Sequence, residues 1–74
     1  MNWPATCEEK VLTPSPGMSV IGRKATRRVT FAENGEVRYV ETAVGRYGER
    51  RGGCLLSSWQ KWCKANHAAE EIPF

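Results

Sequence analysis

The stretch RRVTFAENGEVRYVE, residues 27–41, constrains the fold of this 74-residue chain more than any other segment. Two runs rich in β-branched and aromatic residues flank the dipeptide Asn34-Gly35. Asn-Gly between two such runs is the strongest short-range signal for a β-hairpin, because both residues tolerate the positive φ angles of a tight turn. The sequence therefore predicts a hairpin around which the rest of the domain is built.

Two loop lengths are compatible with this turn, and they predict different registers. A two-residue loop, residues 34–35, sets Glu33 opposite Glu36, and like charges directly opposite each other are destabilising. A three-residue loop, residues 33–35, avoids this contact and is the next most common hairpin connection. We therefore expect the three-residue loop.

The three-residue loop also sorts the hairpin side chains into two faces. Paired residues point to the same side of a sheet, and successive residues alternate. The pairs in this register are Phe31 with Val37, Val29 with Tyr39 and Arg27 with Glu41. The face expected to pack on the core consists of Val29, Phe31, Val37 and Tyr39. The opposite face consists of Arg28, Thr30, Arg38 and Val40.

Shorter strands are expected on both sides of the hairpin. Residues 18–21 form an apolar run after a Pro-rich loop, and residues 54–56 form another before a C-terminal helix. Residues 45–53 are basic and glycine-rich, which favours a mobile loop. The predicted fold class is α+β: a small antiparallel sheet of three to four strands with one C-terminal helix packed on it. An SH3-like, partly open barrel is compatible with these short strands.

The C-terminal helix is predicted from a cap signal and from its periodicity. Ser57 followed by Gln60 matches a capping box, in which side chains bond backbone N–H groups of the first turn. Trp59, Trp62 and Cys63 recur at i, i+3 and i+4 and so share one face of the helix. We expect this face to cover the apolar side of the hairpin.

At this length the chain is expected to form one small domain, residues 1–74. We divide it into an irregular N-terminal segment, residues 1–17, a folded core, residues 18–66, and a loose acidic tail, residues 67–74. No stretch approaches the roughly 20 apolar residues of a membrane span. The first residues also lack the apolar run of a secretory signal. We expect a soluble cytoplasmic monomer with free thiols and no membrane partner.

Positive charge is concentrated in the middle of the chain. Residues 20–64 hold ten Lys or Arg against four Glu, a formal charge of +6, whereas the whole chain carries +3. A basic body of this kind favours a polyanionic partner, either nucleic acid or an acidic protein surface. A solvated surface that keeps the protein soluble is the alternative interpretation.

Eight residues are candidates for partner binding. Four cations fall within six residues, at positions 23–28, and others follow on the second hairpin strand and in the glycine-rich segment. Such side chains can clamp phosphates. An aromatic residue near the N-terminus is an anchor of the kind that dominates protein–protein contacts. The full set is Trp3, Arg23, Lys24, Arg27, Arg28, Arg38, Arg50 and Arg51.

The sequence offers little support for catalysis or for a cofactor. It has one histidine and no aspartate, and it lacks the glycine fingerprints of phosphate-binding loops. Cys54, Cys63 and His67, together with Cys7, are a conceivable zinc ligand set, but the close Cys-x-x-Cys spacing is missing. The alternative, which we expect, is that Cys54 and Cys63 are small buried apolar residues. We therefore expect no enzyme activity, no catalytic residues, no cofactor and no metal.

The start MNWPATCEEKV, the core GMSVIGRKATRRVTFAENGEVRYVE and the size of the chain carry a resemblance to a known family. The chain resembles the small RNA-polymerase-binding transcription regulators made by lytic phages of Xanthomonas. The resemblance implies a non-enzymatic protein of host takeover, acting in the host bacterial cytoplasm. It would bind the host RNA polymerase, inhibit transcription initiation at host promoters and promote antitermination.

A second function is compatible with the same basic residues. The chain could be a small basic nucleic-acid-binding module with an SH3-like fold. Direct binding to nucleic acid should weaken steeply with salt when no other protein is present. A polymerase-binding protein should instead co-purify with the enzyme from a bacterial lysate, with nucleic acid at most nearby.

Overall fold

Five antiparallel strands and one α-helix make up the fold in a computed structural model that describes residues 7–43, 45 and 47–71. A short 3-10 helix, Glu9–Leu12, precedes them. The strands are β1 (Ser19–Ile21), β2 (Ala25–Glu33), β3 (Glu36–Ala43), β4 (Arg50–Leu55) and β5 (Ala69–Glu70), and the helix is α1 (Leu56–Ala65). The predicted α+β fold, a small antiparallel sheet with a C-terminal helix, is confirmed.

The sheet is open and has the strand order β4-β3-β2-β1-β5. Strands β2 and β3, the predicted hairpin, lie side by side within it and form its longest ladder. The 3-10 helix and α1 pack on one side, where they meet the inward residues of β1, β2 and β3. We call the other side the outer face, because none of the described helices covers it.

The core lies between the sheet and α1. Trp59 is fully buried, and its indole N–H donates a hydrogen bond of 2.7 Å to the carbonyl of Val11. This bond satisfies the indole N–H, which buried tryptophans require, and fixes the 3-10 helix to α1. The fully buried side chains are Val11, Val20, Val29, Val37, Trp59 and Cys63. The predicted apolar face of the helix is therefore confirmed.

The hairpin turn has two residues, so the predicted three-residue loop is wrong. Asn34 and Gly35 have φ angles of 51° and 76°, as a type I′ turn requires, and Glu33 lies opposite Glu36. The repulsion that argued against this register is reduced by its surroundings. Glu33 is exposed, and the Arg38 Nη2 atom lies 3.0 Å from Glu36 Oε1.

A β-bulge restores the predicted register in the rest of the hairpin. The pairing shifts between Val29 and Phe31, so that Thr30 is the extra residue of β2. Before the bulge, Val29 pairs with Tyr39, as predicted. Arg27 likewise pairs with Glu41. The inward positions of Val29, Val37 and Tyr39 are confirmed.

Phe31 is on the opposite face from the one predicted. It pairs with Arg38 rather than with Val37, and paired residues share a face. Ala32 takes the inward position opposite Val37 and packs against the core. The outer face therefore has an aromatic side chain that the predicted register had assigned to the core.

Helix α1 begins without the predicted capping box. It starts at Leu56, and no side chain caps its first turn. Gln60 donates its amide N–H to the carbonyl of Leu12, at 2.9 Å, instead of to the helix start. The N–H of Leu56, the first helical residue, donates to the carbonyl of Gly35 at 2.7 Å, so the hairpin turn satisfies one of the N–H groups that lack a partner within the helix.

The segments predicted to be irregular or loose contribute to the fold in the described residues. Val11, within the predicted segment 1–17, is fully buried. Ala68 is also fully buried, and the next two residues form β5 against β1. Glu71 donates its N–H to the carbonyl of Ser19 at 2.8 Å. The predicted tail, residues 67–74, is thus part of the sheet as far as Glu71.

The predicted glycine-rich loop is shorter than expected. Residues 50–53 belong to β4, where they pair with β3. A Cβ atom on Gly52 would lie 2.8 Å from ring atoms of Tyr39, so glycine is needed there to admit the aromatic ring. At Gly52, a glycine that suggested mobility is therefore a packing requirement of an ordered strand.

Candidate partner-binding face of the sheet

Two cross-strand rows make up the centre of the outer face. In the first row, Val40 on β3 lies between Arg28 on β2 and Arg51 on β4. The second row consists of Phe31, Arg38 and Gly53 on the same three strands. Because strands alternate their side chains, these six residues point away from the core. Three arginines from distant parts of the chain therefore meet on one surface.

The charges of this surface are available to a partner. Arg28 and Arg51 are exposed and have no ion pair with any residue that the structure describes. Arg38 pairs with Glu36, but both side chains are about half exposed, and such surface pairs contribute roughly 0–1 kcal/mol. All three arginines line one surface hollow of ≈ 520 Å³. Carboxylates or phosphates could enter it without first breaking a strong internal contact.

Phe31 adds an aromatic ring beside a guanidinium group. The Cζ atom of Arg38 lies 4.9 Å from the centre of the Phe31 ring, within the range of a cation–π contact. Sequence reasoning missed Phe31 as a surface residue, since only the bulge at Thr30 turns it outward. Its neighbours in sequence carry no signal for that bulge.

Arg27 has a structural position and does not belong to this surface. Its guanidinium lies between two rings, 4.1 Å from the centre of Tyr39 and 4.0 Å from that of Trp62. Its Nε atom donates to Glu41 Oε1 at 2.9 Å, and only 12% of its side chain is exposed. A partner would have to open the core to reach it, although its neighbour Arg28 is exposed.

The other predicted residues lie apart from the two rows. Arg23 and Lys24 are exposed in the turn between β1 and β2, where their backbone N–H groups bond to Asn66 at the end of α1. Arg50 is exposed at the start of β4, opposite Glu41, which places it on the inner side of the strand. Trp3 lies outside the described residues. Three of the eight predicted residues, Arg28, Arg38 and Arg51, are therefore brought together.

The cysteines lie on the core side of the fold. Cys63 is fully buried, and Cys54 is half-buried and packs against the core cluster. Within the ranges that the structure describes, no group of three or more His, Cys, Asp or Glu side chains could hold a metal ion. The interpretation of both cysteines as apolar packing residues agrees with these positions.

The Cys63 thiol should be unreactive in the native protein. Burial, with a smaller effect from nearby Cys7, raises its pKa from 9.0 to about 12. Only the thiolate attacks disulfide reagents. We expect Cys63 to resist DTNB at about pH 8 until the protein is unfolded in urea. Peptide mapping of the modified protein measures this, and rapid labelling of native Cys63 would contradict it.

The same shift makes stability depend on alkaline pH. Because the folded-state pKa lies above the unfolded value, the contribution of Cys63 is fully present below about pH 9 and is lost as the pH rises towards about 12. The free energy of unfolding in urea should therefore fall between about pH 8 and about pH 10.5, and it should fall more for the wild type than for Cys63→Ala. Equal pH slopes for the two proteins would contradict the shift.

In comparisons with known proteins, no family model, no curated protein and no solved structure matches the chain. The SH3-like interpretation accordingly stays a prediction. Among the described residues, no helix is long and apolar enough to cross a membrane. The function must therefore be argued from the outer face and from the residues that line it.

Proposed function

We propose that this protein is a non-enzymatic binding module whose outer face docks on the host RNA polymerase in the bacterial cytoplasm. One observation carries the proposal: the guanidinium groups of Arg28, Arg38 and Arg51 lie together on a sheet face that no described helix covers. Guanidinium forks bind carboxylates through paired hydrogen bonds, so this face fits an acidic protein surface. The polymerase itself comes from the family resemblance of the sequence.

The layout of the face suits protein docking. Val40 lies between Arg28 and Arg51, and Phe31 lies beside Arg38. An apolar centre with charged residues around it is the usual arrangement of a protein interface. The side chains stand on a hydrogen-bonded sheet, so little backbone entropy is lost on binding. Bound in this way, a small protein could block initiation and promote antitermination, as the resemblance implies, with no chemical step of its own.

A pull-down from a Xanthomonas lysate tests this function. The tagged wild type should retain RNA polymerase, and the variant Arg28→Glu, Arg38→Glu, Arg51→Glu should retain at least about tenfold less, because interface charge reversal costs several kcal/mol. The matched control is Lys10→Glu, Lys61→Glu, Lys64→Glu. These three residues are exposed and lie away from the two rows. Because the control also exchanges three cations for Glu, it changes the net charge by the same amount.

The two variants separate the outcomes of that experiment. If the control also loses the polymerase, net charge and not the outer face is responsible, which would contradict the proposed site. If the wild type retains no polymerase, the proposed partner is wrong. Circular dichroism of each variant shows that the fold is intact, as expected for substitutions of exposed side chains.

Phe31 favours one second candidate, a nucleic-acid-binding module. An aromatic ring on an open sheet beside arginines can stack a base while the guanidinium groups contact phosphates. With about three phosphate contacts, the logarithm of the binding constant for single-stranded RNA should fall with that of salt with a slope of about −2. A mobility-shift assay without other proteins measures this, and no shift at low salt would exclude the candidate.

A further inference from the structure

Within the residues that the structure describes, no strand pairs with the second side of β4, which we call its free edge. Strand β4 pairs with β3 on one side, and the strand order ends with it. At the opposite end of the sheet, β5 is only two residues long, whereas β4 has six residues and no proline. An edge of this length presents a row of unpaired backbone N–H and C=O groups, which another strand can extend.

The hydrogen bond at the end of the β3–β4 ladder shows which residues of β4 direct their N–H and C=O groups towards β3 and which direct them towards the free edge. There, the N–H of Leu56 donates to the carbonyl of Gly35 at 2.7 Å. Alternate residues of an antiparallel strand bond to the same neighbour, so every second residue before Leu56 also turns towards β3. Those residues are Arg50, Gly52 and Cys54. The residues that turn their N–H and C=O groups to the free edge are Arg51 and Gly53, and Leu55 adds its N–H alone, because as the N-cap of α1 it gives its C=O to the first bond of the helix.

Gly53 is a glycine that the fold itself does not require. A Cβ atom there would meet only Arg38 Cγ and the Val37 carbonyl oxygen, both at the ordinary contact distance of 3.5 Å. Its φ is not in the positive range, in contrast to Gly35 in the turn. Because Gly53 has no side chain, no side chain covers the outer face at the middle of the free edge. A side chain of an added strand that lies opposite Gly53 therefore meets no cross-strand side chain there.

Both ends of β4 have exposed apolar side chains. Leu55, the last residue of the strand, is 65% exposed, and Tyr47, three residues before its start, is fully exposed. They are the exposed large hydrophobic residues of the described chain. Tyr47 and Arg50 line a surface hollow of ≈ 550 Å³. An added strand would thus find an apolar contact near each of its ends.

The start of β4 has a local formal charge of +1, because Arg50 and Arg51 follow Glu49. Glu41 and Glu49 line the same hollow as Arg50, so Arg51 is the cation that is left for a partner. Arg50 and Arg51 are exposed, and neither forms an ion pair with a residue in the described ranges. A second copy of the chain would bring two more arginines and a further formal charge of +3 to the same edge. A nucleic acid has no peptide backbone with which to complete the ladder. An acidic peptide meets both requirements.

We propose that the free edge of β4 binds an extended acidic segment of a partner protein, which adds to the sheet as a sixth strand. Main-chain hydrogen bonds to Arg51, Gly53 and Leu55 supply the affinity, and a carboxylate beside Arg51 supplies the selectivity. The edge site uses the main chain of β4, whereas the two rows of the outer face use side chains, and the side chain of Arg51 is shared by both. The edge site does not depend on the identity of the polymerase, so either proposal can fail alone.

The test uses a fluorescein-labelled ten-residue peptide of alternating Glu and Val as the probe, with fluorescence anisotropy as the measurement. The variant Gly53→Pro removes one N–H from the free edge and none from the ladder with β3. Proline is tolerated at such a position of an edge strand. This variant should bind the peptide at least about tenfold more weakly, whereas Gly53→Ala, which keeps the N–H, should bind within about twofold of the wild type.

A second pair of measurements holds even if Gly53→Pro does not fold. The same peptide N-methylated at every peptide bond should not bind the wild type, since it cannot form the ladder. Amide exchange of Arg51, Gly53 and Leu55, followed by NMR, should slow when the unmodified peptide is added. The amides of Gly52 and Cys54 should be protected before and after.

Three results would overturn the proposal. Equal binding of the N-methylated peptide would show that only charge attracts the probe. Equal binding by folded Gly53→Pro would show that the free N–H is not used. A wild-type dimer in sedimentation that Gly53→Pro converts to a monomer would show that the edge binds a second copy of the chain. A polymerase pull-down with Arg28→Glu, Arg38→Glu, which leaves Arg51 and the main chain of β4 unchanged, separates failure of the proposed function from failure of the edge site.

Discussion

The substitution Trp59→Ala is expected to remove most of the stability of the protein and to leave it close to its unfolding midpoint at room temperature. Trp59 is fully buried, and its ring lies 5.8 Å from the ring centres of both Tyr39 and Trp62. Truncation of such a side chain costs about 3–5 kcal/mol. A domain of this size has a total stability of the order of 5 kcal/mol. Loss of this one ring therefore removes most of the free energy of unfolding.

Urea unfolding followed by far-ultraviolet circular dichroism measures this effect. Lys61→Ala, on the exposed side of the same helix, is the control and should change the free energy of unfolding by less than about 0.5 kcal/mol. Trp59→Phe keeps an aromatic ring but leaves the carbonyl of Val11 without its 2.7 Å hydrogen bond, so it should cost about 1–3 kcal/mol or more. A wild-type urea midpoint for Trp59→Ala would contradict the central position of this residue.

Charge reversal at Arg27 is expected to have the second largest effect. Arg27→Glu would place a carboxylate between the rings of Tyr39 and Trp62 and beside Glu41. Loss of one partner from a largely buried ion pair costs about 3–5 kcal/mol. The adjacent Arg28→Glu is the matched control, because Arg28 is exposed and should change stability by less than about 0.5 kcal/mol.

The pair of arginines separates structure from binding. Arg27→Lys keeps the charge but loses the planar group that stacks between the two rings, so its stability should fall between those of the wild type and Arg27→Glu. Urea unfolding of all three variants gives the comparison. Equal stability of Arg27→Glu and Arg28→Glu would contradict the inward position of Arg27. If Arg27→Glu stays as stable as the wild type and yet loses its partner, Arg27 belongs to the binding surface after all.

Two local signals in the hairpin are both correct, but they are compatible only because of a β-bulge that depends on tertiary packing. Asn34-Gly35 favours a two-residue turn, and the apolar pattern favours Val29 and Val37 on one face. With an unbroken ladder these requirements conflict, because a two-residue turn would place Val29 on the outer face. The extra residue Thr30 reconciles them, and as a consequence Phe31 lies outward. The bulge could not be predicted, since it depends on the burial of residues beyond the turn.

The candidate surface was predicted only in part for a similar reason. Composition showed that the middle of the chain is basic, but it did not separate Arg27, which is stacked in the core, from Arg28, which is exposed. Arg51 joins Arg28 only through the pairing of β3 with β4. Those cross-strand neighbours are distant in sequence, so no local pattern contains them.

The sequence by itself determined the α+β class, the site of the hairpin turn and the apolar face of the helix. These features depend on residues within a few positions of one another, as in the spacing of Trp59 and Cys63. Only the tertiary structure decided which arginines share a surface, that Phe31 lies beside them, and that β4 ends the sheet with a free edge. Those features depend on which face α1 covers and on the order of the strands, and both are set by long-range packing.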